Sequence, residues 1–201
     1  MPELPEVEHV KRGIEPYAKG QKISSVIFSD KVKEGKADGR ETIIKGMSLE
    51  TFKTFTENFV IEEIERRSKY IVFHLANDNE HRILISHLGM AGGFFIVRAL
   101  DDITVKNYRN HWHVIFTLDN DMLLVYSDIR RFGEIRNVPS LEAYPSFLEI
   151  APEPFEDIAL NHYLSWFDRK SYLKKPIKQM ILDHRVIAGC GNIYALSLIH
   201  I

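Results

Sequence analysis

Seven short runs of β-type residues between residues 23 and 128 constrain the fold more than any other feature of this sequence. Each run has seven or eight residues rich in Val, Ile, Leu, Phe and Tyr, and turn-forming sequences such as NDNE and DND separate several of them. Strands this short and this closely spaced are typical of an antiparallel sandwich or barrel. The runs are residues 23–30, 59–66, 70–76, 82–88, 93–99, 111–118 and 122–128.

Helical patterns accompany these runs. Apolar residues recur at helical spacing before Gly20, which predicts a leading amphipathic helix over about residues 5–18. Ser48 is the expected N-cap of a short helix over residues 48–55. The sequence therefore predicts an α+β fold whose first domain, residues 1–137, is an antiparallel β-sandwich with a leading helix.

The sequence changes character beyond this domain. Residues 138–154 are rich in proline and predict a linker. Helices are predicted over 159–167 and 174–189, with Pro176 near the first turn of the second helix. We expect residues 155–201 to form an incomplete helical domain.

Composition excludes several classes of protein. The chain has 201 residues, 45% hydrophobic and 27% charged, as in an ordinary soluble globular protein. Its one cysteine, Cys190, excludes an intramolecular disulfide and a cysteine-based zinc site built by this chain alone. No apolar run is long enough to span a bilayer, and no secretory signal is evident. We expect a cytoplasmic protein with no membrane partner.

Charge is unevenly distributed along the chain. The formal net charge is −2, but residues 160–201 hold six Lys or Arg against two Asp, which leaves an acidic body before them. A basic C-terminal part is a weak indication of nucleic-acid binding. A solvated basic face explains the same distribution equally well.

The N-terminal sequence MPELPE suggests amine chemistry. Proline is a small second residue, so we expect Met1 to be removed and Pro2 to carry a free secondary amine. An α-amino group titrates near ~8, and its neutral form can attack a sugar or carbonyl carbon to form a Schiff base. Glu3 lies next to it, where it can move protons. Taken alone, a rigid lead-in to the first helix is the simpler interpretation.

Three internal segments favour the chemical interpretation. RRSKY places Lys69 at the start of a strand, and SHLGMAGGF places Met90 on a glycine-rich turn. YSDIRRFGEI places Arg130, Arg131 and Phe132 on another turn. Read singly, the apolar residues fit a core and the arginines a solvated pair. An apolar side chain flanked by glycines on a tight turn is also suited to act as a wedge in a base stack.

A fourth segment, KKPIKQMILDHRVIAGCGNIYA, has the features of a phosphate site. Lysines, among them Lys178, surround the start of one predicted helix, and Gly189 and Gly191 form a turn before another, which we expect Asn192 to cap. Glycines before a helix N-terminus let backbone N–H groups approach a phosphate closely. A plain helix–turn–helix corner is an equally good explanation of these residues.

Taken together, the motifs resemble a known family. MPELPEVE, RRSKY, HLGM, DIRRFG, PIK and GCGNIYA occur in the order and at about the spacing of bacterial formamidopyrimidine-DNA glycosylases, over at least residues 1–195. Leu4 favours this branch over the endonuclease VIII branch, which typically begins MPEGPE and prefers oxidised pyrimidines. The resemblance implies a base-excision enzyme that removes oxidised purines such as 8-oxoguanine and formamidopyrimidines from double-stranded DNA, and that cuts the strand by β,δ-elimination.

The resemblance also implies roles for individual residues. Pro2 would be the nucleophile, Glu3 the acid/base group beside it, and Lys69 a second catalytic amine. A second set would fill the gap left by the extruded nucleotide, and this set is Met90, Arg130 and Phe132. A third set would hold DNA phosphates, and this set is His111, Arg131, Lys178 and Asn192. Tyr194 would pack the glycine turn or line the DNA side.

Several features of the family pattern are absent from this sequence. Family members complete the helical domain as a helix–two-turns–helix unit, carry a loop over the extruded base and end in a four-cysteine zinc finger. We therefore interpret the sequence as C-terminally truncated, with LSLIHI as a non-native continuation. Zinc is expected in the full-length family member, whereas this chain holds no metal site.

Alternative functions remain open at this level. One is a glycosylase for oxidised pyrimidines, and another is a catalytically weak DNA-lesion-binding fragment. A β-sandwich interaction protein is a third, but it accounts for neither Pro2, Glu3 and Lys69 nor the glycine turn. In each DNA-binding case we expect a monomer.

Overall fold

Two β-sheets and eight α-helices make up the described part of the chain, in a computed structural model that describes residues 1–172 and 174–200. The elements in chain order are α1 (Leu4–Ala18), β1 (Ile23–Phe28), α2 (Asp30–Ala37), β2 (Ile44–Lys45), α3 (Leu49–Thr54), β3 (Val60–Arg67), β4 (Tyr70–Ala76), β5 (His81–His87), β6 (Gly92–Val97), α4 (Lys106–Asn110), β7 (Trp112–Leu118), β8 (Leu123–Asp128), β9 (Glu134–Val138), α5 (Pro145–Leu148), α6 (Ala159–Ser165), α7 (Ile177–Leu182) and α8 (Asn192–Ile199). Short 3-10 turns lie at Leu100–Asp102 and Leu141–Ala143.

The strands form a sandwich. One sheet has four antiparallel strands in the order β1-β7-β8-β6, and the other has five in the order β2-β9-β5-β4-β3. Every pair is antiparallel except β2–β9, a two-residue parallel contact at the edge of the five-stranded sheet. The inner faces of the two sheets meet in one apolar core, where the Phe73 and Phe94 rings lie 5.4 Å apart, centroid to centroid. The predicted α+β sandwich is confirmed.

The seven predicted strands all exist, with bounds shifted by at most two residues. The leading helix also lies where its periodicity predicts, and it buries Val7 and Ile14 in the core. Ser48 caps α3 as expected, because its Oγ accepts a hydrogen bond from the backbone N–H of Thr51 at 3.1 Å. Five of the labelled elements were not predicted, namely α2, β2, α4, β9 and α5.

The second predicted helix of the C-terminal part was wrong in length. Residues 174–189 do not form one helix, because α7 covers only Ile177–Leu182. Pro176 stands in an extended conformation before it, and Asp183 ends it. The Asp183 carboxylate accepts hydrogen bonds from the backbone N–H and side chain of Arg185, which favour a turn over a further helical turn.

The segment predicted as a linker packs closely on the sandwich. Phe147, Ile150 and Ala151 are buried against Val72 and Ile85, which lie on the outer face of the five-stranded sheet. This packing fixes where the C-terminal helices begin relative to β4 and β5. The domain bounds at residues 137 and 154 stay a prediction.

Membrane insertion has no support in the helices that the structure describes. None of them combines the length and the apolar character needed to cross a bilayer.

Candidate active site and nucleic-acid interface

Glu3 joins the first and last helices of the described chain. Its side chain is only 1% exposed, and its carboxylate accepts hydrogen bonds from the backbone N–H groups of Gly191 at 2.6 Å, Ile193 at 2.7 Å and Tyr194 at 3.3 Å. A carboxylate at the N-terminus of a helix satisfies free backbone donors and interacts favourably with the helix dipole. Glu3 is therefore held rigidly beside Pro2.

This contact corrects the predicted cap of α8. Asn192 is the first residue of the helix and is exposed, and Gly191 occupies the N-cap position. Gly191 is required by the close approach of the two chain segments, since a Cβ there would lie 2.6 Å from the Glu3 carboxyl group. The capping oxygens come from Glu3, which is distant in sequence, and no local pattern in GCGN could reveal them.

Lys69 reaches the same turn from the tight connection between β3 and β4. Its Nζ lies 3.3 Å from the backbone carbonyl oxygen of Cys190, to which it donates a hydrogen bond. Burial lowers the pKa of Lys69, while the nearby charges of Glu3 and Cys190 act in the opposite direction. The lowered pKa increases the fraction of neutral amine near pH 7, the form that accepts protons and attacks carbonyl carbons.

Hydrogen bonds to Glu153 hold the turn that carries Lys69 in place. This carboxylate is 14% exposed and accepts hydrogen bonds from Ser68 N at 2.6 Å, Arg66 Nη1 at 2.6 Å and Arg67 Nη1 at 3.0 Å. Ser68 has a left-handed backbone (φ 56°), and its Oγ accepts a hydrogen bond from the N–H of Gly189 at 2.9 Å. The RRSK sequence thus anchors the Lys69 turn to both the proline-rich segment and the glycine turn.

Pro2 lies at the start of α1, at one end of an open groove. The groove has a volume of about 730 Å³ and runs between α1 and β6, with Glu6, His9 and Phe95 among its lining residues. Most of the lining is apolar, which suits a flat aromatic group better than a phosphate. Pro2 is half-buried at this position, so its nitrogen is near space that a substrate can enter.

Met90 and Phe132 lie on two turns whose backbones touch. Met90 follows β5, Phe132 follows β8, and a Cβ at Gly89 would lie 2.5 Å from the Phe132 carbonyl carbon and 2.4 Å from Gly133 N. The two side chains nevertheless remain 42% and 60% exposed. Large apolar side chains held out on rigid turns are available to enter a base stack.

Buried Asp128 fixes the shape of the second turn. Its carboxylate accepts hydrogen bonds from the backbone N–H of Arg130 at 3.0 Å and of Gly133 at 2.8 Å. Arg131 between them has φ 56°, an uncommon conformation for a residue with a side chain. The Arg130 guanidinium carbon lies 5.0 Å from the centroid of the Phe132 ring, so these two side chains are neighbours.

The remaining predicted DNA contacts are spread over several elements. His111 is half-buried at the end of α4, and its Nδ1 lies 2.7 Å from the carbonyl oxygen of Asn107, which leaves Nε2 for a ligand. Lys178 is in the first turn of α7, and Asn192 begins α8, which packs against α7. Their roles as phosphate contacts stay a prediction.

The structure links Tyr194, which was expected to pack the glycine turn or line the DNA side, to Glu6, which the sequence argument did not select. The Tyr194 hydroxyl donates a hydrogen bond to Glu6 Oε1 at 3.0 Å, and Glu6 Oε2 accepts one from the backbone N–H of Glu3 at 2.9 Å. Although burial raises the pKa of Glu6, these hydrogen bonds lower it overall. The spacing of Glu3 and Glu6 is that of a capping box, which was the one sequence signal for this link.

A metal site is not evident in the described part of the chain. Across residues 1–172 and 174–200, no three His, Cys, Asp or Glu side chains are grouped so that they could hold an ion.

The chain is similar to proteins of one known family. The chain matches the family model described as the formamidopyrimidine-DNA glycosylase N-terminal domain over residues 1–135. The chain therefore belongs to the formamidopyrimidine-DNA glycosylase family.

Individual relatives and structures agree with this assignment. The chain is 36% identical to the formamidopyrimidine-DNA glycosylase of Lactiplantibacillus plantarum, with 97% of this chain and 64% of that protein covered. It is 38% identical to the Streptococcus pneumoniae enzyme, with 96% and 64% covered. Solved complexes of Lactococcus lactis Fpg (MutM), one with an oxidized-pyrimidine-containing DNA and one with a FAPY-dG-containing DNA, match at TM-scores of 0.75 and 0.74. Both are 32% identical and cover 96% of this chain and 65% of the Lactococcus lactis chain. The chain thus spans less than two thirds of the length of these relatives.

Proposed function

We propose that this chain carries the catalytic machinery of a base-excision DNA glycosylase with lyase activity. The observation that carries the proposal is the meeting of Glu3 and Lys69 at the turn formed by residues 189–191, directly beside Pro2. A secondary amine, a carboxylate and a second amine of lowered pKa are the groups that imine chemistry at a sugar carbon requires. Family membership gives independent support to the same reaction class.

In the proposed reaction, removal of Met1 frees the nitrogen of Pro2. Its lone pair forms a bond to C1′ of the damaged nucleotide as the glycosidic bond breaks and the base leaves with a proton. Opening of the sugar ring then gives an iminium ion between Pro2 and C1′. Glu3 moves protons beside the ring oxygen, and Lys69 assists the β- and δ-eliminations that expel the two phosphates.

Exposed side chains on the Met90 and Phe132 turns would help to extrude the damaged base. An enzyme that acts on a base within a duplex must extrude it at a cost of a few kcal/mol. We propose that Met90 and Phe132 fill the vacated space, while Arg130 hydrogen-bonds the orphaned partner base. His111, Arg131, Lys178 and Asn192 would hold phosphates. The solved complexes of Lactococcus lactis Fpg with lesion-containing DNA support the binding of such DNA.

The proposed substrate is double-stranded DNA with an oxidised purine. Formamidopyrimidine is the lesion in one matched Lactococcus lactis complex, and an oxidised pyrimidine is the lesion in another. Oxidised pyrimidines are therefore the second candidate substrate class. We place the activity in the bacterial cytoplasm, at the chromosome, with the protein as a monomer.

Zinc is assigned no role in this chain. The resemblance implies a structural four-cysteine finger in full-length members, whereas this sequence has one cysteine, so its residues do not fit that group. We propose that zinc, where present in the family, stabilises a part of the relatives' length that this chain does not span.

Borohydride trapping tests the proposal directly. The protein is incubated with duplexes that contain one 8-oxoguanine or one oxidised pyrimidine, and borohydride is added to reduce any imine. We expect a covalent protein–DNA adduct, strongest with 8-oxoguanine, that Pro2→Gly abolishes and the control Pro5→Ala keeps. Binding of the lesion duplex without an adduct would instead identify a lesion-binding module without catalysis.

A further inference from the structure

A second concave site lies beside the turn that carries Phe132. This cleft has a volume of about 390 Å³, and neither Pro2, Glu3 nor Lys69 lines it. Its walls come from α2, residues 40–43 and the turn 130–132, and His113 also lines it.

Positive charge predominates in the cleft. Four cationic side chains line it against two acidic ones, Lys31, Arg40, Arg130 and Arg131 against Glu34 and Glu41. Glu41 is paired with Lys45 at 3.2 Å and Arg40 with Asp38 at 2.5 Å, so one charge of each sign is offset and the positive excess remains. Among the ion pairs of residues 1–172 and 174–200, none involves Lys31 or Arg131, so both charges remain available to an anion.

Two of these cations, Lys31 and Arg131, lie on the same cleft as buried His113. Its pKa is lowered chiefly by burial, and the positive charges of Arg131 and Lys31 lower it further, while the contact with Asp128 acts in the opposite direction. Because Lys31 and Arg131 both line the cleft, α2 and the 130–132 turn present their charges to a common region. Positive groups gathered in this way repel each other and are stabilised by an anionic ligand.

The position of the cleft indicates which anion it meets. In the proposed function, Pro2 and Lys69 face the damaged strand and the 130–132 turn enters the gap in the duplex. The cleft lies beside that turn, and the catalytic residues do not line it. Its side chains therefore face the strand opposite the damaged one. Phosphates follow one another closely along that strand, and Lys and Arg are their usual partners.

We propose that the cleft between α2 and the 130–132 turn binds a backbone phosphate of the undamaged strand. The inference rests on the proposed function and extends it, since it adds Lys31 and Arg40 to the DNA-binding surface. A volume of about 390 Å³ holds a phosphate group together with several waters, each of which takes ~30 Å³. The contact would favour duplex over single-stranded substrate.

The variant Lys31→Gln tests the site, and Lys33→Gln is its matched control. Lys31 is exposed and lines the cleft, whereas Lys33 lies on the same helix, pairs with Asp30 at 3.3 Å and does not line it. Binding is measured by fluorescence anisotropy at several salt concentrations, with a duplex that contains a tetrahydrofuran abasic analogue and with the lesion strand alone.

We expect Lys31→Gln to weaken duplex binding several-fold and to reduce the slope of log K against log salt by about 0.9, the value for one phosphate contact. Binding of the single strand should not change, and Lys33→Gln should match the unmodified protein. A methylphosphonate at the contacted position of the undamaged strand should weaken the unmodified protein and add no further loss to Lys31→Gln.

Other outcomes overturn the inference in distinguishable ways. An unchanged affinity and salt slope in Lys31→Gln would exclude the cleft as a phosphate site while leaving the proposed function intact. Equal losses on duplex and single strand would assign the contact to the damaged strand instead. Failure of the unmodified protein to bind the lesion duplex at any salt concentration would reject the proposed function and the cleft site together.

Discussion

The carboxylate of Glu3 accepts a hydrogen bond from the backbone N–H of Gly191 at 2.6 Å, across 188 positions of sequence. This contact closes the site, because it brings the N-terminal residues onto the turn that Lys69 also reaches. One carboxylate thus serves two purposes, as the cap of α8 and as the proposed proton-transfer group beside Pro2. Its structural and catalytic roles can be separated by experiment.

Replacing Glu3 by Gln should loosen α8 as well as abolish catalysis. The amide keeps one acceptor oxygen but loses the charge and the second acceptor, so three backbone donors are no longer fully satisfied. Hydrogen bonds to charged groups contribute about 1.5–3 kcal/mol. We expect the free energy of unfolding to fall by about 1–3 kcal/mol, as measured in urea, with faster hydrogen exchange at Ile193 and Tyr194. The control is Glu15→Gln in α1, the helix that follows Glu3, and it should change neither hydrogen exchange nor trapping. Unchanged hydrogen exchange in Glu3→Gln would contradict the capping role.

Gly89 should be intolerant of substitution, unlike Gly93 nearby. A Cβ at Gly89 would lie 2.4 Å from Gly133 N, and its φ of +62° disfavours side chains. At Gly93 the nearest atom is Phe95 Cε2 at 3.5 Å, an ordinary contact. We expect Gly89→Ala to lower the free energy of unfolding by about 1–3 kcal/mol and to weaken binding of a lesion duplex, because the Met90 and Phe132 turns must separate. Thermal and urea unfolding compare the two variants, and equal effects would show that the turns do not depend on this contact.

Glu153 should fix the position of Lys69 without contacting the substrate. Glu153→Gln removes the charge that holds Ser68, Arg66 and Arg67, so the Lys69 turn gains freedom. We expect a loss of about 1–3 kcal/mol in stability and slower imine trapping, with faster hydrogen exchange at Ser68. The control is Glu156→Gln, at an exposed position three residues further along the chain. Trapping at the normal rate in Glu153→Gln would mean that Lys69 is positioned by other contacts.

Acid should destabilise the fold through two histidines, half-buried His87 and buried His113. Burial lowers the pKa of His87 and of His113, with Lys69 adding to the effect at His87. The unfolded chain, with histidine pKa values near 6.5, then binds more protons than the folded chain, so stability falls as the pH drops below about 6.5. Each such proton contributes at most ~1.4 kcal/mol per pH unit.

The variant His87→Gln isolates one of these protons. His87 Nδ1 accepts a hydrogen bond from Gly89 N at 3.1 Å, and the Gln side-chain oxygen can replace it without titrating. In urea unfolding at pH 8, 6 and 5, the free energy of unfolding should fall less with acid in this variant than in the unmodified protein. The control His81→Gln, at an exposed site, should show the full loss. An equal acid loss in all three proteins would remove His87 from the explanation.

The strands were predictable because most of them are short runs of β-branched, aromatic and other apolar residues separated by turn-forming sequences. β9 was not predicted, since three of its five residues (EIRNV) are polar and its neighbours come from distant segments. β2 pairs over only two residues, too few for any periodicity. The helix predicted over residues 174–189 failed because the side chain of Asp183 competes for local backbone and arginine donors.

The individual motifs of the site were visible in the sequence, but the connections between them were not. MPELPE, RRSKY and GCGN each carry local signals of turns or caps, so their placement on turns and helix starts could be predicted. The contacts of Glu3 with Gly191, and of Glu153 with Ser68, join positions more than 80 residues apart. Such long-range contacts have no local periodicity, which is why the role of Glu153 appeared only in the structure.

The identity of the residue bonded to DNA tests the central claim most directly. After borohydride trapping on an 8-oxoguanine duplex, the protein is digested with trypsin and the modified peptide is sequenced by mass spectrometry. The account predicts that Met1 is absent and that the reduced sugar is attached to the nitrogen of Pro2, in the peptide of residues 2–11. Attachment to Lys69, or an intact Met1 on the trapped protein, would contradict it.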